Sequence, residues 1–311
     1  MSATVVSQPT DRTVVRAHSH KRNRRSTSVA VAMLVPAAVL MITFLIIPIF
    51  LTFGLAFTNA RLISPVPARF VGFDNFLRLF TNDTFWKSLL NTIVFTIVIV
   101  PVQSGLALGL AILVNAKVRG TNFFRTVYFL PVVTSMVVVS MLWLFMYQPD
   151  GLINVLLAKV GITGPDWLGD PKTALFAIIV LSIWQAVGFH MVIWLSGLQT
   201  IPAELYEAAS IDGAGRWQQF VHVTWPGLRQ TSIFILITIT IAAFSLFTQV
   251  NIMTQGGPLD STSTLVYMAV FTGFQQQQTG YAAAISLVFF ALVLTVSLIQ
   301  RYLTRDKGAT R

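Results

Sequence analysis

The sequence lacks several residue types and motifs on which common classes of protein depend. It contains no cysteine, which excludes disulfide bonds, thiolate catalysis and cysteine-based metal sites. No Gly-Lys pair occurs, so the chain carries no phosphate-binding loop of the Gly-x-x-x-x-Gly-Lys-Ser/Thr type. The few histidine and acidic residues show neither metal-ligand spacing nor a catalytic cluster. We therefore expect no metal, no cofactor and no enzyme active site.

Charge is also scarce, and it is unevenly distributed. Charged residues make up 10% of the 311 residues, against about a quarter in a soluble domain, while 55% are hydrophobic. Six uncharged runs of at least 24 residues cover 26–60, 88–116, 126–149, 173–203, 230–259 and 261–300. A helix needs about 20 apolar residues to cross a bilayer, and these runs lack the alternation of barrel strands. The sequence therefore predicts an all-α, polytopic membrane protein with six transmembrane helices.

The same pattern divides the chain into three regions. Residues 1–28 are predicted to be a basic, disordered tail, 29–303 a six-span domain, and 304–311 a short second tail. The six spans are predicted near residues 29–57, 90–114, 124–147, 174–198, 230–250 and 281–303.

The basic residues predict the orientation of these spans. If the N-terminus is cytoplasmic, 15 of the 21 Lys and Arg residues fall in cytoplasmic segments, whereas the acidic residues divide 5 inside and 6 outside. This is the positive-inside pattern, and it predicts that both termini are cytoplasmic. The basic run Lys21–Arg25 directly precedes a span, which is typical of an orientation signal facing anionic membrane lipid and not of nucleic-acid binding.

Ionisable groups are nearly absent from the predicted spans. Only His190 is titratable near physiological pH and lies inside one, and a single histidine in a helix is more often packed than part of a proton relay. Ion-coupled carriers generally place Asp, Glu, Lys or Arg at mid-membrane, and many contain inverted repeats, which this sequence does not show. These features weigh against a self-contained carrier or channel, which stays open as an alternative of another class.

The segment 200–226 between the fourth and fifth spans predicts a short helix-turn-helix on the cytoplasmic face. Thr200 is expected to cap its first helix, with Pro202 in the first turn. Gly213 is expected to end that helix in a left-handed conformation. Pro226 is expected to end the second helix before the next span.

Residues in this segment carry a resemblance to a known family. Their spacing resembles the EAA loop of ABC-importer permeases, at Glu207, Ala208, Ala209, Asp212, Gly213, Ala214 and Pro226. Four further stretches resemble the carbohydrate branch of that family, which includes maltose, glycerol-phosphate and multiple-sugar permeases: Val71–Phe76, Phe124–Pro131, Gln148–Asn154 and Thr254–Pro258. The resemblance covers about 30–305.

The resemblance implies an assembly and a mechanism. The partners would be a second homologous permease, two ATPase subunits and an extracytoplasmic sugar-binding protein, at a bacterial cytoplasmic membrane. In the family, the EAA loop is a coupling helix that docks into a cleft on the ATPase, so Glu207 and Gly213 are expected to be needed for coupling. The implied solute is a mono-, di- or oligosaccharide, with glycerophosphodiesters or polyols as alternatives.

Polar residues form two stripes at helical spacing. Ser182, Gln185, Ala186 and Phe189 share one stripe of the fourth span, and Thr238, Ala242, Ser245 and Gln249 share one of the fifth. These spans border the pore in the family that the chain resembles, and sugars are held by hydrogen bonds and aromatic faces. The candidate substrate-path residues are therefore Ser182, Gln185, Phe189, Thr238, Ser245 and Gln249. The alternative is that these polar side chains only bridge neighbouring helices.

Overall fold

A computed structural model describes residues 24–64, 66–115 and 121–304. Most of the predicted first tail and nearly all of the second lie outside these residues. The described residues divide into two units, with the boundary between residues 51 and 52. In the first unit, helix α1 (Arg24–Met41) is followed by a π-helical turn (Ile42–Ile46) and by helix α2 (Ile47–Ala56), which continues past residue 51. Helix α1 begins at Arg24, ahead of the predicted start at 29, because extending an existing helix costs little.

The described residues of the second unit form helices joined by loops, with one isolated antiparallel bridge between Thr58 and Phe70. The all-α fold class is confirmed. Its helices are α3 (Asp74–Phe80), α4 (Asp83–Asn115), α5 (Thr121–Val133), α6 (Met136–Met146), α7 (Leu152–Lys159), α8 (Ala174–Gln199), α9 (Ala203–Ile211), α10 (Arg216–Gln219), α11 (Trp225–Gly227), α12 (Arg229–Phe244), α13 (Thr248–Met253), α14 (Leu265–Val270) and α15 (Thr279–Thr304), with π-helical segments at Phe220–Thr224 and Phe271–Gln275.

Length and composition make several of these helices suitable for crossing a membrane. Within the described residues, five helical stretches qualify: Ala32–Ala56, Asp83–Asn115, Ala174–Gln199, Arg229–Met253 and Thr279–Leu303. A sixth span exists only if α5 and α6 count as one.

The third span was predicted as one helix over 124–147, and the structure corrects this. Helices α5 and α6 meet at an angle of 97°. Pro131 lies in the last turn of α5 and donates no backbone hydrogen bond, so the helix is weakened where it ends. Ser135 then takes an extended conformation before α6 starts. The stretch is therefore two helices separated by a break at Thr134 and Ser135.

Helix α14 and the π-helical segment after it lie between the predicted fifth and sixth spans, 230–250 and 281–303, in a stretch that these bounds leave as a loop. The prediction was wrong because the stretch lies between segments rich in Gly, Pro and Gln, which suggested a loop throughout. The Thr264 side chain accepts a hydrogen bond from the Tyr267 backbone N–H at 3.2 Å, which caps α14 and lets a short apolar helix form.

Helix α8 lies at the centre of the core of the second unit. Its fully buried side chains include Leu181, Met191 and Trp194, and they pack with side chains of α4 and α12 such as Phe95 and Ile235. Small residues allow closer approach elsewhere along α8. At Gly188 the helix comes so near to α5 that an added Cβ atom would overlap the backbone carbonyl of Tyr128. This close approach fixes α5 against α8 next to the break in the third span.

Replacing Gly188 with Ala tests this packing. We expect a loss of about 1–3 kcal/mol in stability, because the clashing atoms belong to backbone and cannot move aside as a side chain can. The measurement is the thermal unfolding midpoint of the purified protein in detergent. The matched control is Gly105→Ala in α4, where no described atom lies within 4 Å of the added Cβ atom and alanine is the better helix former by about 1 kcal/mol. Equal midpoints for the two variants would contradict the close approach.

Candidate functional site

Residues 203–227 form a helical hairpin, called the hairpin below. Helix α9 leads into a turn at Gly213, and α10, the π-helical segment and α11 then form one nearly continuous second helix. Gly213 has a φ of +79°, the left-handed conformation expected from the sequence. In the turn, the Gly213 N–H donates to Ser210 O at 3.1 Å and the Ala214 N–H donates to Ala209 O at 2.9 Å. These bonds satisfy carbonyls that the end of α9 would otherwise leave unpaired.

Two expected helix signals of the hairpin were wrong. Thr200 does not cap α9, because its hydroxyl donates a hydrogen bond to Gly197 O at 2.7 Å, at the end of α8. The residue that directly precedes α9 is Pro202. Pro226 does not end the second helix, which continues to Gly227. Pro226 lies in the first turn of α11, just after the wider π-helical turns, where a missing N–H is tolerated.

Side-chain hydrogen bonds join the two helices of the hairpin. The Gln219 amide nitrogen donates to Ser210 Oγ at 2.9 Å and to Ala214 O at 3.2 Å. The hydroxyls of Tyr206 and Thr224 lie 3.0 Å apart, which adds a second link. The sequence reasoning missed Tyr206, Ser210, Gln219 and Thr224. No local pattern indicates them, since the Gln219–Ser210 and Tyr206–Thr224 bonds join residues of different helices. The hairpin is therefore held together by polar contacts and not by a core of its own.

Most of the coupling residues proposed from the resemblance lie on the surface of the hairpin. Glu207, Ala208, Asp212, Gly213 and Pro226 are exposed. The side chains of Ala209 and Ala214, by contrast, are partly buried. The nearby Ile211 side chain is 86% exposed, which gives the tip of the hairpin an apolar group beside its carboxylates. Such a surface can dock another protein through charge and apolar contact together.

A cavity of about 300 Å³ lies between the long helices, and it is called the interhelical cavity below. Four of the six candidate substrate-path residues line it: Ser182, Gln185, Ser245 and Gln249. The other two do not. Phe189 is exposed and contacts the His190 ring edge-on, and the Thr238 hydroxyl bonds to backbone carbonyls of its own helix at 3.0 Å.

The cavity also brings together polar residues that the sequence reasoning did not select. Gln103 of α4 lies with its amide nitrogen 2.8 Å from His190 Nδ1, and both side chains are buried. Across the cavity, the Gln249 amide nitrogen donates to Ser182 Oγ at 3.4 Å. Gln103 could have been noticed as a lone amide near the middle of an apolar run. Its pairing with His190 could not, because 87 residues separate the two.

The break between α5 and α6 borders the same cavity. Met136, the first residue of α6, is one of the lining residues. The Gln185 amide nitrogen donates to Pro131 O at 3.5 Å, so a carbonyl next to the break faces a lining residue. Non-helical backbone at membrane depth is tolerated where it is buried in protein or lines a water-filled cavity. The break therefore adjoins the interhelical cavity.

Comparison with known proteins finds a family of membrane transport components and relatives among sugar permeases. The family model for binding-protein-dependent transport system inner membrane components matches residues 103–308. The lactose transport system permease protein LacF of Rhizobium radiobacter is 37% identical over 278 residues, which cover 88% of this chain and 92% of that protein. The trehalose/maltose transport system permease protein MalF of Thermococcus litoralis is 32% identical over 281 residues, covering 90% and 94%.

A solved structure shares the fold. A chain of a bacterial ABC transporter that imports the acidic polysaccharide alginate matches with a TM-score of 0.79 at 23% identity, over 91% of this chain and 97% of that one.

Substitution of Gly213 tests the turn of the hairpin. No described atom lies within 4 Å of a Cβ atom added there, so Gly213→Ala should destabilise the hairpin by about 1–2 kcal/mol through its left-handed backbone alone. Gly213→Asn should cost less, since asparagine adopts this conformation more readily. The measurement is amide hydrogen exchange over residues 203–227, and equal exchange in both variants would contradict the assignment.

Proposed function

Because the chain belongs to the family of binding-protein-dependent transport system inner membrane components, we propose that it forms half of the translocation pore of an ATP-driven sugar importer. It is a transport subunit and not an enzyme. Its relatives in lactose and trehalose/maltose transport support a mono-, di- or oligosaccharide as the solute. The interhelical cavity, with its amides, hydroxyls and aromatic Phe95, supports a path for such a solute.

The hairpin is the observation that carries this proposal. We assign it to coupling with the ATPase, through Glu207, Asp212 and the turn at Gly213. Support comes from the exposure of these residues and from the links that Gln219 makes between the two helices. The second helix of the hairpin leads directly into α12, which lines the interhelical cavity. Movement imposed on the hairpin by a partner can therefore reach the solute path.

The proposed assembly has four kinds of member besides lipid. The chain pairs with a second homologous permease, so that the two together enclose the path. Two ATPase subunits supply the energy, since no Gly-Lys pair exists in this sequence to form a phosphate-binding loop. An extracytoplasmic sugar-binding protein delivers the solute.

We place the protein in the bacterial cytoplasmic membrane as a multi-pass protein, with both termini and the hairpin in the cytoplasm. The family description, an inner membrane component, supports the membrane. The excess of Lys and Arg in the segments assigned to the cytoplasm supports the orientation. In this orientation the acidic surface of the hairpin faces the compartment that contains ATP.

Purification from native membranes tests the assembly. A C-terminally tagged chain, extracted in mild detergent, is expected to bring with it an ATPase subunit with a phosphate-binding loop and a second permease. Mass spectrometry identifies both. If the chain is purified alone or as a homo-oligomer at every detergent strength, the proposed importer assembly is wrong. A self-contained carrier or channel is then favoured.

Charge reversal at Glu207 tests the coupling role. Glu207→Lys is expected to lower ATP-driven uptake by about tenfold or more, because a like-charge contact at an interface costs several kcal/mol. The measurements are uptake into proteoliposomes and the amount of ATPase retained. The matched control is Asp150→Lys, the same charge change at an exposed carboxylate assigned to the outside. Unchanged uptake and assembly in Glu207→Lys would contradict the role of the hairpin in coupling to the ATPase.

A further inference from the structure

The charge of the solute is a property that neither the fold nor the family decides, since this fold also occurs in an importer of an acidic polysaccharide. The wall of the interhelical cavity bears on it directly. Among the residues that the structure describes, those lining the cavity include glutamine, serine and a histidine but no Asp, Glu, Lys or Arg. A buried anion is stable only when it is paired with a cation or with several hydrogen-bond donors.

Four polar residues of the wall leave mainly acceptors for a solute, and the other two, Gln103 and His190, are hydrogen-bonded to each other. Ser182 Oγ donates to Ile178 O at 2.8 Å, so it can only accept from the Gln249 amide nitrogen. The Gln185 amide nitrogen likewise donates to a carbonyl, that of Pro131. These contacts establish which amide atom is the nitrogen in both glutamines, and each carbonyl oxygen Oε1 is left without a partner in the described part of the chain.

Ser245, the other serine of the wall, also donates its hydroxyl hydrogen to a backbone carbonyl. Ser245 Oγ donates to Ile241 O at 3.0 Å, which again leaves an oxygen that accepts hydrogen bonds. The lining hydroxyls of Ser182 and Ser245 and the amide oxygens of Gln185 and Gln249 are therefore four acceptors. Each of the two amides retains one further N–H. A sugar hydroxyl both donates and accepts, so it can pair with this wall, whereas a carboxylate, sulfate or phosphate oxygen only accepts.

A second cavity shows that the chain does place charged residues around other recesses. It measures about 330 Å³ and is lined by Arg78 and Asp260, among others. The guanidinium of Arg78 lies 4.3 Å from the centre of the Tyr281 ring, and Asp260 accepts a hydrogen bond from Thr84 at 3.0 Å. The charged residues of this second cavity lie outside the uncharged runs, which supply the whole lining of the interhelical cavity.

We infer that the interhelical cavity takes an uncharged, hydroxyl-bearing solute and that the importer rejects carboxylated, sulfated and phosphorylated ones. This inference rests on the proposed function. It deepens that function by excluding acidic sugars and phosphodiesters from the solutes that the family likeness allows. The residues that determine it are Ser182, Gln185, Ser245 and Gln249.

Uptake from a mixture of solutes tests the inference. A hydrolysate of plant and microbial polysaccharides is separated by anion exchange at pH 7 into an unretained, uncharged fraction and a retained, acidic one. Each is offered to proteoliposomes that contain the complete importer and its binding protein, and accumulated solutes are identified by mass spectrometry. We expect ATP-dependent accumulation from the uncharged fraction to exceed that from the acidic fraction by at least about tenfold.

The outcomes separate the inference from the proposed function. Comparable or greater accumulation from the acidic fraction would overturn the inference and leave the importer standing. ATP-dependent accumulation from neither fraction would overturn the proposed function as a sugar importer and the inference with it.

A pair of variants ties the result to the cavity. Ala242 lines the cavity and is exposed, so Ala242→Leu should fill part of it and reduce uptake of the uncharged solute by at least about tenfold. Ala291→Leu is the control, since it makes the same change at an exposed alanine of α15 outside the lining. ATPase retained on purification shows that both variants assemble. Equal uptake by the two would mean that the cavity is not on the path, and would overturn the inference.

Discussion

Backbone hydrogen bonding in a medium without water is the constraint on which the rest of this structure depends. Peptide groups in hydrocarbon must pair within the protein, and continuous helices achieve this. Two interruptions stand out against that rule, at Thr134–Ser135 between α5 and α6 and at Ser245–Phe247 between α12 and α13. Met136 and Ser245, which flank or belong to these interruptions, both line the interhelical cavity. The helices are broken where the chain has a recess able to hold water or solute.

Much of the fold follows from the sequence, because an uncharged run of sufficient length has few alternatives to a membrane-crossing helix. Gly213 likewise indicates its turn, since its conformation is a local matter. The break after Pro131 was not predicted, because proline within an apolar run occurs both in continuous and in broken helices. Helix α14 was missed because its cap, Thr264, resembles any loop threonine. In these cases the deciding contacts lie outside the local pattern.

The candidate site divides in the same way. Helical spacing placed Ser182 with Gln185, because residues on one face of a helix stay together wherever the helix packs. Ser245 and Gln249 also meet at the cavity, although the break at Ser245–Phe247 separates them. It could not show that Phe189 turns away from the cavity. Nor could it bring Gln103 to His190, since the packing of α4 on α8 is a property of the whole fold. Spacing along one helix is readable from sequence, whereas the partner across the gap is not.

The uncharged wall of the interhelical cavity has an electrical consequence. Each elementary charge that crosses a membrane exchanges about 2.3 kcal/mol per 100 mV with the membrane potential. An uncharged solute, the kind that fits this wall, carries no charge across the membrane. The wall contains no Asp, Glu, Lys or Arg whose charge could move with the solute. Import of the inferred uncharged solute through the proposed path would therefore be electroneutral with respect to its cargo. The concentration gradient that the proposed importer can sustain is then set by ATP alone, whether the cell is polarised or not.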